Sequence, residues 1–179
     1  GCSARCWWAW GAKSTGGCGW GCAGTARAPK TFWGSARAKT RAATPIRYEN
    51  NDEFLIGGCK VLHESDNDVA LIIAAGITLV EAIKAYEALK KEGVLVAVID
   101  LYSIKPIDAQ TIIRVANKCN KKIITVEDHY AQGGIGEAVI GAVKNHDFMF
   151  TTLAVTKMPR SGKPAELLAY EEIDAQAII

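Results

Sequence analysis

Between Gly1 and Pro45 the chain has no valine, leucine or isoleucine, and no aspartate or glutamate. Without aliphatic residues recurring every two or every 3.6 positions, this head offers no amphipathic strand or helix and should not form a core. No stretch of the 179 residues reaches the ~18 uninterrupted apolar positions of a membrane span, and the head lacks the apolar centre of a signal peptide. These absences predict a soluble, cytoplasmic protein with no membrane partner. Charge is also missing one sign at a time: up to Tyr48 there are eight basic residues and no acid, and beyond it 13 basic residues meet 19 acidic ones. The net charge of +2 therefore conceals a basic head and an acidic body, and says little about partners.

What the head does hold is all five tryptophans and four of the six cysteines, and it fits three descriptions. Cys2-x3-Cys6 and Cys18-x3-Cys22 supply four thiols for a zinc ion, at a spacing looser than the usual two-residue knuckle. Basic residues interleaved with tryptophan could stack on single-stranded nucleic acid. The third description is that these are the amino acids of GC-rich codons, as an out-of-frame or misassembled stretch would give. The composition favours the third, so residues 1–44 are read as an atypical head that is no folded domain or not true sequence, and neither a metal nor a nucleic-acid partner is expected. Recovery of the peptide from Ser14 to Arg27 from the purified protein would overturn that expectation.

The body, residues 45–179, has the opposite character. Phe54 to His63 reads as two short extended pieces broken by Gly57 and Gly58, an edge hairpin. Val69–Ala75 and Val94–Ile99 are continuous apolar runs, as strands covered on both faces require. Between them Thr78 and Glu81 have capping-box spacing, and Leu79, Ala82, Ile83, Tyr86 and Leu89 form one helical stripe that ends at Lys90, Lys91 and Gly93. Asp108 is placed to cap a second helix, about Ala109 to Cys119, with Ile112, Ile113, Val115 and Ala116 facing inward. Lys122–Val126 is the central strand, a third helix runs from about Ile135 to Lys144, Met149–Val155 is a fourth buried strand, and Ala165–Tyr170 opens a last helix. Strands alternating with helices predict an α/β fold: an open, mostly parallel sheet with helices on both faces, a Rossmann-like three-layer domain. Cys59 and Cys119 are isolated in it and read as reduced, partly buried small hydrophobes.

The chain is organised around Ile123–Val139, where an apolar strand is followed by Glu127, Asp128 and His129, then Gly133, Gly134 and Gly136, then a helix start. In an open sheet this loop lies at the carboxyl edge of the strands, where ligands and partner domains bind. Gly134-Ile-Gly136-Glu-Ala-Val139 is nearly a dinucleotide fingerprint, but Val139 replaces the third glycine and the first comes four residues too late. The competing role of the three glycines is to turn the chain and pack the helix on the sheet. Glu127, Asp128 and His129 could form an acid–base set. Successive strand residues point in alternate directions, however, so one carboxylate capping the next helix or pairing with a neighbouring domain is favoured. Arg160-Ser-Gly-Lys163 places two cations around a turn, an anion cradle too short for a P-loop, or a domain contact.

These residues also carry a resemblance. Ala74-Ala-Gly-Ile-Thr-Leu-Val-Glu-Ala82, Ile104-Lys-Pro-Ile-Asp108, Ile124–Val139 and Pro159-Arg-Ser-Gly-Lys-Pro-Ala-Glu-Leu-Leu168 resemble, in order, the C-terminal domain of animal-type transketolases, over roughly residues 45–179. The resemblance implies a parent enzyme of the pentose phosphate pathway. It would move a two-carbon ketol unit from a ketose phosphate to an aldose phosphate with thiamine diphosphate and Mg2+ or Ca2+. It implies that cofactor and metal lie outside this chain, whose sequence has neither the Gly-Asp-Gly motif nor the middle-domain motifs, and carries over no catalytic, cofactor-binding or metal residue. The implied partners are the N-terminal and middle domains and a second subunit of a homodimer, and the fragment alone is expected to be inactive. The alternative is a non-catalytic regulatory module that binds an anion or partner at the glycine loop.

Overall fold

The computed structural model of the chain describes residues 45–179, so every expectation for the head, its four-cysteine site included, lies outside the described residues. Five strands form one sheet: β1 (Lys60–His63), β2 (Leu71–Ala74), β3 (Ala97–Asp100), β4 (Lys122–Tyr130) and β5 (Met149–Val155), in the order β1-β3-β2-β4-β5. β3, β2, β4 and β5 run parallel, and β1 joins the edge antiparallel to β3.

Period-two alternation divides β2 between two cores. Leu71 and Ile73 pack with Ile112, Val115 and Ala116 of α2 (Ala109–Lys118) and with Ile135 and Val139 of α3 (Ile135–Ala142). Ile72 and Ala74 pack on the other face with Leu79, Ala82 and Ile83 of α1 (Ile77–Lys91) and with Ile178 of α5 (Ala175–Ile178). The four β2 residues have no exposed surface. Burying a Leu or Ile of this kind contributes about 1.5–3 kcal/mol relative to leaving it in water. Both faces are therefore covered, as the expected three-layer α/β architecture requires. A short α4 (Pro164–Tyr170) follows β5. No helix among the described residues is long and apolar enough to cross a membrane.

Local signals mostly hold. Asp108 caps α2 by accepting from the Thr111 backbone N–H at 3.0 Å, and Lys90 and Lys91 occupy the last turn of α1. Cys59 and Cys119 are free thiols, and burial with the nearby Asp108 carboxylate pushes the Cys59 thiol up to about 12.

Four local expectations need correction. The Phe54–His63 hairpin is a single strand, β1, because Gly57 at φ +84 and the Gly58 N–H to Leu55 carbonyl bond turn the earlier half into a loop. Thr78 and Glu81 make no capping box: Gly76, at positive φ, starts α1 earlier, and Thr78 is buried inside the helix. Glu81 is drawn instead to Lys84 at 2.7 Å and to the Ala175 backbone N–H at 3.2 Å. α3 ends at Ala142 rather than near Lys144. β4 does not stop at Val126 but continues to Tyr130.

Candidate functional site

The extension of β4 shapes the carboxyl edge. Val126 pairs with Leu153 and Tyr130 with Val155, so four steps along β4 match two along β5. Such a break in register redirects side chains. Glu127 turns inward and is 1% exposed, while Asp128, His129 and Tyr130 all face solvent. The strict alternation expected for these positions is lost because two additional residues are accommodated there.

The Glu127 carboxylate fills the N-terminus of α3. Oε2 accepts from the Ile135 N–H at 2.6 Å and Oε1 from the Gly136 N–H at 3.0 Å. Two of the donors that any helix start leaves without an intrahelical partner are satisfied, and the negative charge sits at the positive end of the helix dipole. The expectation that one carboxylate caps the following helix is met by this residue. Glu137 adds a second acceptor, for the Gly133 N–H at 2.5 Å.

The glycines are shaped by this carboxylate. Gly133 has φ +73, the left-handed region that side chains resist. A Cβ on Gly134 would stand 1.8 Å from Glu127 Oε2, and one on Gly136 would stand 2.8 Å from the Thr152 methyl of β5. The near-fingerprint is therefore a socket for an internal carboxylate and for close helix–sheet packing. A diphosphate does not fit this turn, because it would have to displace Glu127 from the same amides. The crevice where strand order reverses, between β2 and β4, is also occupied: the Thr78 hydroxyl lies 2.8 Å from the Val126 carbonyl oxygen and 2.9 Å from that of Ala75. Among the described residues no group of three His, Cys, Asp or Glu side chains is arranged to hold a metal ion.

Of the sequence-predicted residues, the structure brings Asp128, His129 and Arg160 to one cleft of about 340 Å3, walled by Tyr130, Val155 and Leu167 among others. His129 Nδ1 is held 2.8 Å from the Tyr130 carbonyl oxygen. Arg160 lies 4.5 Å from the centroid of the Tyr170 ring, a cation–π contact. Lys163 does not join it: its ammonium is 3.7 Å from Glu166, and its side chain is 84% exposed, so the two-cation cradle is not assembled. Glu127, Gly133, Gly134 and Gly136 belong to the α3 socket rather than to the cleft.

Several residues here escaped sequence reasoning. Glu171, buried at 8% exposure, lines the cleft and accepts the Thr156 and Lys157 backbone N–H groups at 3.2 and 3.0 Å. Tyr48 donates to Asp100 at the carboxyl end of β3 at 2.6 Å. No spacing rule joins such pairs, which lie far apart in sequence.

The fold and the turn together define a three-layer α/β domain whose glycine-rich helix start at α3 is closed by its own glutamate. The family described as "Transketolase, C-terminal domain" matches residues 57–178. The chain belongs to that family. Mouse transketolase-like protein 2 is 49% identical over 141 residues, covering 78% of this chain and 22% of that protein. Human transketolase is 47% identical over 140 residues, with the same 78% and 22% coverage. A solved structure of a split-gene transketolase, described as an inactive β4 tetramer, superposes with a TM-score of 0.71 at 27% identity, over 77% of this chain and 45% of that one. Campylobacter jejuni transketolase, at 15% identity and a TM-score of 0.52 over 68% of this chain and 18% of that one, shares the fold. The chain thus spans about a fifth of the length of the curated relatives it matches.

Proposed function

We propose that this chain is the C-terminal domain of a thiamine-diphosphate-dependent transketolase that moves a two-carbon ketol unit between sugar phosphates. Its own part is structural. It packs against the middle domain and contributes to a homodimer in the cytoplasm, while thiamine diphosphate and Mg2+ or Ca2+ are bound by the preceding domains. When bound, the cofactor supplies the carbanion that carries the two carbons. Nothing in that chemistry is routed through the residues described here.

The observation that carries this reading is the Glu127 socket. In a parallel α/β domain the helix start after a glycine turn is the natural anion site. Here it is used up internally, which supports placing the diphosphate elsewhere. The related split-gene chain, of which this chain covers 45%, is described as an inactive β4 tetramer, which agrees with a domain that needs other parts of the enzyme for activity.

The test is a graft. Residues 45–179 replace the matching segment of human transketolase, and ketol transfer from a ketose phosphate to an aldose phosphate is measured. The expected result is a dimeric enzyme within about tenfold of the parent rate, and no transfer by the 179-residue chain alone. A graft that dimerises and loads thiamine diphosphate yet transfers nothing would contradict the proposal, as would transfer by the chain alone.

A further inference from the structure

The connector that enters the domain, residues 45–58, holds no strand or helix and gives no residue to either hydrophobic core. Its aliphatic side chains Ile46, Leu55 and Ile56 are exposed. Core burial therefore does not hold it in place. It is held instead by contacts to the carboxyl end of β3, to the loop that follows β3, and to Lys60 of β1.

The Tyr48 hydroxyl donates to the buried Asp100 carboxylate at 2.6 Å. Phe54 stands nearly perpendicular to two rings, its centroid 5.0 Å from that of Tyr48 and 4.9 Å from that of Tyr102. The Gly57 N–H donates to the Ser103 hydroxyl at 2.9 Å. Lys60 lies over the Tyr48 and Phe54 rings and pairs with Asp52. A Cβ on Gly58 would collide with the Tyr102 hydroxyl, so the connector lies close against the β3 loop here. Contacts of this kind fail together: they join the same pieces of chain, and losing one lets water reach the rest. The β2 and β3 residues beneath keep both of their cores.

Opening also changes the surroundings of Asp100. The groups that face this carboxyl are Arg47 and Tyr48 of the connector, Cys59 and Lys60 where β1 begins, and Tyr102 after β3; Asp52 faces Tyr48. Burial is the largest influence and holds the Asp100 carboxyl above its ordinary range, against the Tyr48 hydrogen bond and the charges of Lys60 and Arg47. A closed connector thus binds this proton more tightly than an open one, and loss of the proton favours opening. Burial raises the Cys59 thiol and the Tyr48 and Tyr102 hydroxyls as well, so these three stay neutral from acidic to neutral pH.

We propose that residues 45–58 are a strap that opens and closes as one unit over the carboxyl end of β3 while the sheet stays folded, and that it opens more readily at neutral than at acidic pH. The strap changes how the chain enters the domain without unfolding the domain. This goes beyond the structural role proposed above and does not depend on it, because it needs neither thiamine diphosphate nor the preceding domains.

Amide hydrogen exchange of the full 179-residue chain, corrected for the intrinsic rate at each pH, reads the opening. The N–H groups of Asp52, Gly57 and Gly58 are bonded to Glu49, Ser103 and Leu55. They are expected to share one opening equilibrium, on the order of a hundredfold more open than Ile72 and Ile73 of β2. Tyr48→Phe should speed exchange at Gly57 and Gly58 about tenfold or more, the equivalent of a lost hydrogen bond to a charged group. The β2 amides should stay unchanged, which also shows that the variant is folded. Between about pH 4 and 7 the protection of Gly57 and Gly58 should fall about threefold or more in the parent and stay level in Asp100→Asn, which has no proton to lose. The strap is refuted as a unit if Gly57 and Gly58 exchange as slowly as β2, or if Tyr48→Phe speeds only the residues beside position 48. Equal pH profiles in the parent and Asp100→Asn would overturn its pH dependence. None of these readouts involves ketol transfer, so failure here and failure of the graft are separate results.

Discussion

Of the carboxylates buried at the carboxyl edge of the sheet, Glu127 near the end of β4 and Asp100 at the end of β3 are the least exposed, at 1% and 5%. They are held in different ways. Glu127 is held by two amides eight and nine residues ahead of it, in the turn that the same strand feeds. Asp100 is held by the hydroxyl of Tyr48, 52 residues behind it, on the connector that precedes β1. The first is a local device that orders one turn. The second is a strap that ties the entering chain to the sheet. Lys60 strengthens the strap: it pairs with Asp52 at 2.7 Å and lies 4.5 Å and 4.3 Å from the ring centroids of Tyr48 and Phe54.

The difference has an electrostatic consequence. Burial raises the Asp100 carboxyl above its ordinary range, and the Tyr48 hydrogen bond and the Lys60 charge only partly offset it. Burial and Asp100 in turn push the Tyr48 hydroxyl well above the usual phenol range. A helix N-terminus offers a carboxylate several oriented amides at once, whereas a single hydroxyl offers one donor.

Changes to the two devices should therefore differ in size. Gly134→Val should be the most damaging, because its Cβ would stand 1.8 Å from Glu127 Oε2. The expected loss is on the order of 3–5 kcal/mol, the range that severe core disruption gives, read as unfolding of much of the population in a urea titration. Glu127→Ala should cost about 2–4 kcal/mol, because two buried amide donors lose their acceptor. Losses below about 1 kcal/mol for both would mean that the socket contributes little.

The Tyr48 strap comes next. Tyr48→Phe should cost about 1.5–3 kcal/mol at neutral pH, the value of a hydrogen bond to a charged group. Asp100→Asn tests the same pair through pH. A carboxyl whose folded pKa is raised holds its proton longer in the native state. Native stability therefore falls as pH rises from the ordinary value of about 4 through the raised one. The Asn variant should lose that slope, and urea midpoints between pH 4 and 6 for variant and parent would show it. Parallel curves would contradict the raised pKa.

The smallest effect concerns His63, stacked on Tyr86 at 3.8 Å and lowered chiefly by burial. A base with a depressed folded pKa is protonated first in the unfolded chain, so stability is lost as pH falls below about 6.5. His63→Phe keeps a ring on Tyr86 and removes the titration. The melting-temperature advantage of the variant should grow from pH 7 to pH 5, and a constant difference would count against burial as the cause.

This comparison also marks what the sequence could disclose. The β2 run, the inward stripe of α2 and the Asp108 cap were legible because each depends on residues within one element. A carboxylate capping α3 was legible too, since a short glycine turn leaves Glu127 few other partners. Thr78 and Glu81 misled because their spacing suits a capping box, while burial against β4 and the pull of Ala175 decided their partners instead. The register break in β4 has no residue signature, and it alone brings Asp128, His129 and Tyr130 to one side. Likewise the Tyr48–Asp100 strap and the cleft walls join segments tens of residues apart, which only tertiary packing specifies.

The central claim is that Glu127 shapes the turn and takes no part in chemistry, and one substitution tests it most directly. Glu127→Gln keeps the volume, retains one oxygen acceptor and sets an amide NH2 against a backbone N–H. In the 179-residue chain it should lower the melting temperature by several degrees, consistent with about 1–2 kcal/mol in a domain of this size. In the human transketolase graft the same change should leave the ketol-transfer rate per folded, cofactor-loaded enzyme unaltered. A rate that falls a hundredfold or more, with the melting temperature of the chain unchanged, would contradict the account and make Glu127 a catalytic residue.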